Sequence, residues 1–256
     1  MDISAATIAS VSDLVDNYQP NPRAAEVLSH MTVILLVGIA GAGKNTIIEQ
    51  LLGEKDSPYK RIVTCTTRAP RANDGVLEQN DIDYHFLDLK TAQQMLVNKE
   101  FIETNIYSSN VYGTALTEFE KIAEEGKIAV GDVDVNGVAN MERIAPSIRP
   151  IFILPPSFEV WFKRLKDRYG EHWETRQEDV VARIETARQE LEYALHAGYF
   201  YLVLNDDLAV AVQVVDTVAH DASLKPQDTF SRRALAESLL KEIKRYQQSA
   251  KQSDNP

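Results

Sequence analysis

The chain has 256 residues, with 38 acidic side chains against 27 basic ones and a net charge of −11. That length supports one sizeable α/β domain with extensions, and the acidic balance argues against a nucleic-acid binder, whose affinity rests on basic contacts to phosphates. A single cysteine, Cys65, excludes an intramolecular disulfide and a Cys-rich zinc site and fits a reducing cytoplasm.

Taken in chain order, residues 1–30 are expected to form an N-terminal extension of one or two short helices broken at Pro20 and Pro22. Ile8, Val11, Leu14, Val15 and Tyr18 recur there at helical spacing. The first six residues have neither a basic region nor a sustained apolar stretch, unlike a secretory signal. No apolar run approaches the roughly 18–20 residues that cross a membrane. Residues 32–37 are apolar and β-branched and predict a buried strand. Gly38-Ile39-Ala40-Gly41-Ala42-Gly43-Lys44-Asn45-Thr46 follows, and 47–52 predicts a helix. Strand, glycine-rich turn, lysine and helix together make a phosphate cradle. Glycines let N–H groups turn inward, the helix N-terminus adds positive potential, and Lys44 adds a point charge. A strict P-loop has Ser or Thr directly after the lysine; here Asn45 stands there and the hydroxyl comes next, on Thr46.

Residues 61–67 predict a second strand. From 64 to 114 the alternation of strands and helices lapses into a turn-rich polar stretch, with Asp74-Gly75 and the run 81–86, expected as a small inserted lobe. Helices are expected at 115–125, 158–168, 178–195 and 207–219. Strands are expected at 127–134, at 151–154 (stopped by Pro155-Pro156) and at 199–204. The C-terminal part, 223–256, is expected to hold an amphipathic helix over 226–248. Asp228 or Ser231 would start it, Leu235, Leu239, Leu240, Ile243 and Tyr246 would share one face, and residues 251–256 would fray. Each terminal helix either packs on the domain or serves a homodimer or partner contact. Near-continuous apolar strands separated by helices imply a mostly parallel sheet covered on both faces. Ligands bind at the carboxyl ends of such strands, where Lys44, Arg68, Asp132 and Asn205 fall.

The segment Thr64-Cys65-Thr66-Thr67-Arg68-Ala69-Pro70-Arg71 carries two arginines three apart. Asp83-Tyr84-His85-Phe86, then Phe101-Ile102-Glu103, then Asn110-Val111-Tyr112-Gly113-Thr114 come next. The runs 132–137 and 151–157, the arginines from Arg168 to Arg183, and Asn205-Asp206-Asp207-Leu208 complete the series. In this order, and across about residues 32 to 218, the chain resembles the guanylate kinase family. The resemblance implies a P-loop three-layer α/β/α fold over 31–222 with a mostly parallel sheet. It also implies a small inserted nucleoside-monophosphate-binding lobe at about 64–126 and a helical lid at about 158–190.

The implied activity is ATP-dependent phosphoryl transfer to GMP, giving GDP and ADP, with Mg²⁺ accompanying ATP. By the same resemblance, Arg68, Arg71, Tyr84 and Tyr112 would hold the acceptor phosphate, since guanidiniums and phenols suit a dianion. Glu103 would accept from guanine N1–H and the exocyclic amine, Thr64 would donate to O6, and Thr114 and Asp132 would frame the base. Gly38, Gly41, Ala42, Gly43, Lys44, Asn45 and Thr46 would hold the phosphates of ATP, and Asn205 would lie near the adenine. Asp134, alone or with Asp132, through water, and Thr46 are the candidate groups for Mg²⁺. Lys44, Arg168 and Arg183 would neutralise the charge of the transferring group. His85 is expected to be structural, and Trp161 and Trp173 to pack helices or anchor the lid.

Several positions depart from the family pattern. Ile39-Ala40 replaces the usual Pro-Ser, Asn45 replaces Ser or Gly, Thr64 replaces Ser, and Val111 and Asn136 replace Tyr and Gln. The stretches from Arg71 to Tyr84 and from Arg168 to Arg183 are longer than usual. Two rival readings stand beside the kinase: one for another small phosphate-bearing acceptor, and a catalytically weak interaction domain of the same family.

Overall fold

In a computed structural model of the chain, residues 5–53, 56–73 and 76–253 are described. The expected turn at Asp74-Gly75 and the end of the tail, 254–256, lie outside them. The side chains of residues 5–10, Ile8 included, also lie outside the description.

Helices α1 (Ala5–Asp16) and α2 (Arg23–Ser29) precede β1 (Val33–Val37) and α3 (Lys44–Leu52). Four short strands follow in β2 (Tyr59–Arg61), β3 (Cys65–Thr66), β4 (Ala72–Asn73) and β5 (Val76–Leu77). Next come β6 (His85–Phe86), α4 (Leu89–Val97), β7 (Phe101–Tyr107), β8 (Asn110–Ala115), α5 (Leu116–Glu124), β9 (Ile128–Asp132) and α6 (Val135–Ile144). The chain continues through β10 (Arg149–Leu154), α7 (Phe158–Tyr169), α8 (Gln177–Ala197), β11 (Tyr201–Leu204), α9 (Leu208–His220) and α10 (Arg233–Ser253).

These elements form two compact units. One takes the described parts of 1–33, 58–131 and 136–148; the other takes 34–57, 132–135 and 149–253.

In the second unit β11, β10 and β1 run parallel in that order, with Ile34 opposite Arg149 and Ile151 opposite Tyr201. Every side chain of β1 is fully buried, as are Ile151 to Leu154 of β10. That is why these strands read as unbroken apolar runs rather than alternating ones. Helices α3 and α9 pack on each other, and α10 packs along α8 and α7. Leu239 and Ile243 of α10 are buried, and Tyr246 lies against Phe158 and Phe162 of α7.

In the first unit β2 and β9 form a parallel pair, and a four-stranded sheet runs β6-β3-β8-β7. The expected strand 61–67 is therefore two strands. The Ile62 N–H still bonds Val130, whereas Cys65 pairs with His85 and Gly113. Three residues suffice to carry the chain from one sheet to the other. The stretch expected to be mostly turns contains the β7–β8 hairpin, whose tip residues Ser108 and Ser109 both have positive φ. It also contains α4, capped by Asp88 accepting from the Thr91 N–H at 2.7 Å.

Helix α1 packs on α4 and β7, and Val11, Cys65, Leu96, Phe101 and Val111 share one core. The Tyr18 hydroxyl donates to the Phe101 carbonyl at 2.7 Å and accepts from the Phe101 N–H at 2.9 Å, where β7 bulges against β8. A bulge leaves backbone groups without ladder partners, and one hydroxyl serves both here.

Helix α6 was not expected, because Asn136, Gly137 and Asn140 are poor helix formers; packing of Val138 and Met141 overrides that preference. Helix α3 starts at Lys44, three residues earlier than expected. Residues 226–232 form 3₁₀ turns rather than the first turns of the C-terminal helix. That helix reaches Ser253, so the expected fraying does not begin at 251.

Candidate functional site

The loop after β1 is built by its glycines. Gly38, Gly41 and Gly43 have φ of +141°, +87° and +97°, values that side-chain-bearing residues avoid. A Cβ on Gly38 would stand 2.6 Å from the Ile153 carbonyl oxygen. Gly43 precedes α3 and brings no capping side chain, so the N-terminus of that helix faces the loop with its first N–H groups uncapped by that residue. Lys44 Nζ turns back to donate to the Gly38 carbonyl at 2.5 Å and lies 3.8 Å from Asp132 Oδ1.

A cavity of about 620 Å³ opens at this loop. Gly41, Gly43, Lys44, Asn45 and Thr46 line it from one side, and Arg164, Arg168 and Arg183 contribute from α7 and α8. Asp132, at the end of β9, and Asn205, just past β11, complete it. The four carboxyl-end residues of the sequence reading thus divide: three meet at this cavity, while Arg68 belongs to the other unit. Asp132, expected beside the base, lies against Lys44.

Asn205 is buried and donates its amide to the Ala42 carbonyl at 2.8 Å. It therefore braces the loop as well as lining the cavity. Arg183 Nε donates to the Tyr169 hydroxyl at 2.8 Å, with its guanidinium 5.9 Å from that ring.

Three residues at this site went unassigned or under-read in the sequence. Trp161, fully buried, donates its indole N–H to the Ala40 carbonyl at 2.8 Å and pins the loop. Arg164 lines the cavity and reaches the Asn205 carbonyl at 3.3 Å. It precedes Arg168 by one helical turn, which was the available signal. Glu190 lies two turns beyond Arg183 on α8. Burial pushes its carboxyl up to about 7, with Lys44 pulling it down and Asp134 and Asp132 pushing it further up. Carboxylates and the Thr46 hydroxyl are hard oxygen donors of the kind Mg²⁺ takes. Among the described residues no His, Cys, Asp and Glu cluster forms a direct metal cage.

The other unit carries a second cluster. The Arg68 guanidinium, nearly buried, lies 5.1 Å from the centroid of Tyr84, whose ring meets Tyr112 edge-on at 6.2 Å. Burial pushes the Tyr84 phenol up, while Arg68 pulls it down. Glu78 pairs with Arg68 through two bonds of 2.7 and 3.1 Å. The hydrogen bond from Arg68, outweighing burial, holds the Glu78 carboxyl below its ordinary range.

Arg71 is exposed. Across the β7–β8 register, Thr114 donates its hydroxyl to Glu103 Oε1 at 2.8 Å, and both are buried. Thr64 is half-buried and its carbonyl accepts from the His85 N–H. His85 sits between Asp81 at 2.6 Å and Glu118 at 3.3 Å.

The guanylate kinase family model matches residues 30–222. The chain belongs to the guanylate kinase family. It is 31% identical over 186 residues to the guanylate kinase of Schizosaccharomyces pombe, covering 72% of this chain and 88% of that protein. It is 33% identical over 199 residues to the human guanylate kinase, covering 77% and 96%. Against the Synechocystis guanylate kinase it is 36% identical over 180 residues, covering 70% and 88%. The solved structure of guanylate kinase from Anaplasma phagocytophilum shares the fold, with a TM-score of 0.53 at 22% identity over 75% of this chain and 87% of that one. Among the described residues no helix is long and apolar enough to cross a membrane.

Proposed function

We propose that this guanylate kinase-family chain is an ATP-dependent guanylate kinase, transferring the γ-phosphoryl group of ATP to GMP to give ADP and GDP. One observation carries the reading to guanine. The Glu103 carboxylate is buried and accepts from the Thr114 hydroxyl at Oε1, and an ionised carboxylate, which only accepts, is matched in chemistry to a base edge with two adjacent donors. Guanine supplies them in N1–H and its exocyclic amine. Adenine has no N1 proton, so it would leave Glu103 unmatched, and sites built on such bonds discriminate by about 10⁴–10⁵. Thr64 would donate to O6.

The acceptor phosphate goes to Arg68, Arg71, Tyr84 and Tyr112. The β- and γ-phosphates of ATP go to the loop N–H groups and Lys44, with Asn205 and Trp161 bracing that loop. Mg²⁺ brought with ATP would supply charge neutralisation at the phosphates, and Asp132, Asp134 and Thr46 are the residues that would hold it, in part through water. An oxygen of the GMP phosphate attacks the γ-phosphorus. That P–O bond forms as the bond to the β,γ-bridging oxygen breaks, and ADP leaves with the electron pair. The attacking oxygen is already ionised, so no general base is required; alignment and charge neutralisation do the work. Arg168 and Arg183, joined by Arg164, meet the charge on the transferring group. The single cysteine goes with a cytoplasmic setting.

Transfer from ATP should be measured to GMP, AMP, CMP and UMP, with Lys44→Ala as control. GMP is the expected acceptor, and absence of transfer to GMP above the Lys44→Ala level overturns the reading.

A further inference from the structure

Glu78 has no part in the roles above, yet its bonds fix the geometry of Arg68. Its Oε2 accepts from Arg68 Nη1 at 2.7 Å and from the Arg71 N–H at 2.8 Å, and its Oε1 accepts from Arg68 Nη2 at 3.1 Å. The pair is 8% and 11% exposed. A two-bond guanidinium–carboxylate contact sets the plane of the guanidinium as well as its position. Nη1 also donates to the Ala69 carbonyl at 2.8 Å. Three of the five guanidinium N–H groups are thus spoken for. The Nε–H and the second Nη2–H form the other edge, and the Tyr112 hydroxyl interacts with this same guanidinium.

What holds Glu78 is independent of Arg68. Strands β4 and β5 pair Ala72 with Leu77, which places Glu78 opposite Arg71. The Glu78 N–H donates to the Arg71 carbonyl at 2.9 Å while the Arg71 N–H returns to the Glu78 carboxylate. A carboxylate locked by its own backbone register is a fixed anvil for the arginine rather than a loose counterion. The hairpin that sets this register belongs to the stretch between Arg71 and Tyr84 that is longer than the family pattern.

We propose that Glu78 is the positioning residue of the acceptor-phosphate site. It fixes the Arg68 guanidinium so that its Nε–Nη2 edge serves a phosphate monoester beside Tyr84 and Tyr112. The proposal rests on the guanylate kinase reading above. It also gives the β4–β5 hairpin a role, because its register delivers Glu78.

The test is steady-state kinetics of Glu78→Gln and Glu78→Asp, alone and in an Arg68→Ala background, with melting temperatures alongside. Glu78→Gln keeps the shape and removes the charge, so the guanidinium loses its anvil. KM for GMP should rise about ten-fold or more, since small misplacements of binding groups are costly, while KM for ATP holds. Glu78→Asp, which keeps the charge but retracts it, should lie between. Adding Glu78→Gln to Arg68→Ala should produce no further rise, because the two residues act as one unit. If a folded Glu78→Gln leaves KM for GMP unchanged, the positioning role is overturned. A fall in KM for GMP overturns it too, because Glu78 would then compete with the phosphate for Arg68. An equal rise for ATP and GMP also overturns it, as a general structural effect. A wild-type chain that makes no GDP overturns the functional reading and this role with it; a wild-type chain that does, beside an indifferent Glu78→Gln, overturns this role alone.

Discussion

Asn205 donates its side-chain amide to the Ala42 carbonyl at 2.8 Å, and that amide occupies the space a Cβ on residue 43 would need. The residue just past the last strand of the second unit therefore dictates a glycine in the phosphate loop. Gly43→Ala meets two obstacles, a φ of +97° and a collision with Asn205. It should raise KM for ATP by about 10²-fold, the scale of a 1 Å misplacement. Asn205→Ala frees the space but releases the Ala42 carbonyl, so Gly43→Ala should be milder in that background. Steady-state kinetics on the two single variants and the double variant measure the coupling.

In the proposed function Glu103 and Thr114 set the acceptor choice. Glu103→Gln replaces one acceptor with a donor facing guanine N1–H and should lower kcat/KM for GMP by about 10³-fold or more, while kcat/KM for AMP moves far less. Thr114→Val removes one donor to Glu103 and should cost a smaller factor, about ten-fold, the equivalent of one ordinary hydrogen bond. Competing GMP and AMP in one assay reads the ratio directly.

Tyr18 should matter to stability rather than to chemistry. Its hydroxyl both donates to and accepts from Phe101 at the β7 bulge. Tyr18→Phe keeps the ring against Phe101, with centroids 6.5 Å apart, and strands two backbone groups. The expected loss is about 1–3 kcal/mol, read from urea unfolding. Phosphoryl transfer by the folded variant should be close to wild type.

The link between α8 and α10 should be acid-sensitive. Arg188, and after it Gln247, hold the Glu185 carboxyl at about 2 against an ordinary 4.5. A carboxyl depressed in the folded state stabilises above its unfolded pKa and loses that contribution as protons are forced on. The contribution is whole above about pH 5 and drains away as pH falls through 4.5 towards 2. The melting temperature should fall across that window, and Glu185→Gln should make the fall shallower. Melting curves from pH 6 down to pH 3 decide it; parallel curves for the two proteins would contradict the assignment.

The cradle itself was legible because its parts are neighbours in the chain. Strand β1, the three glycines, Lys44 and α3 span twenty residues, and the geometry they need is local backbone geometry. The arginine pair, Tyr84, Glu103 and Tyr112 were legible as an ordered series of short runs. The helices at 158–168, 178–195 and 207–219 were legible because their apolar periodicity is strong. Helix α6 and the short strands between β2 and α5 were not. Their residues have weak local preference, and packing against partners elsewhere in the chain decides their conformation.

From its sequence alone this protein is a phosphate-loop α/β protein of the guanylate kinase pattern, with a lysine, guanidiniums and a carboxylate of the right chemistry. The phosphate cradle follows from residue type and spacing, and the guanylate kinase pattern from the resemblance its ordered motifs carry. Only the tertiary structure decided what holds each group in place. Trp161 reaches the loop across 121 residues, Asn205 across 163, and Tyr18 ties the bulge across 83. Even Glu78, ten residues from Arg68, meets it only because the β4–β5 register folds that stretch back. A sequence states which donors and acceptors exist. Which of them meet depends on chain closure over long separations, and packing alone fixes that.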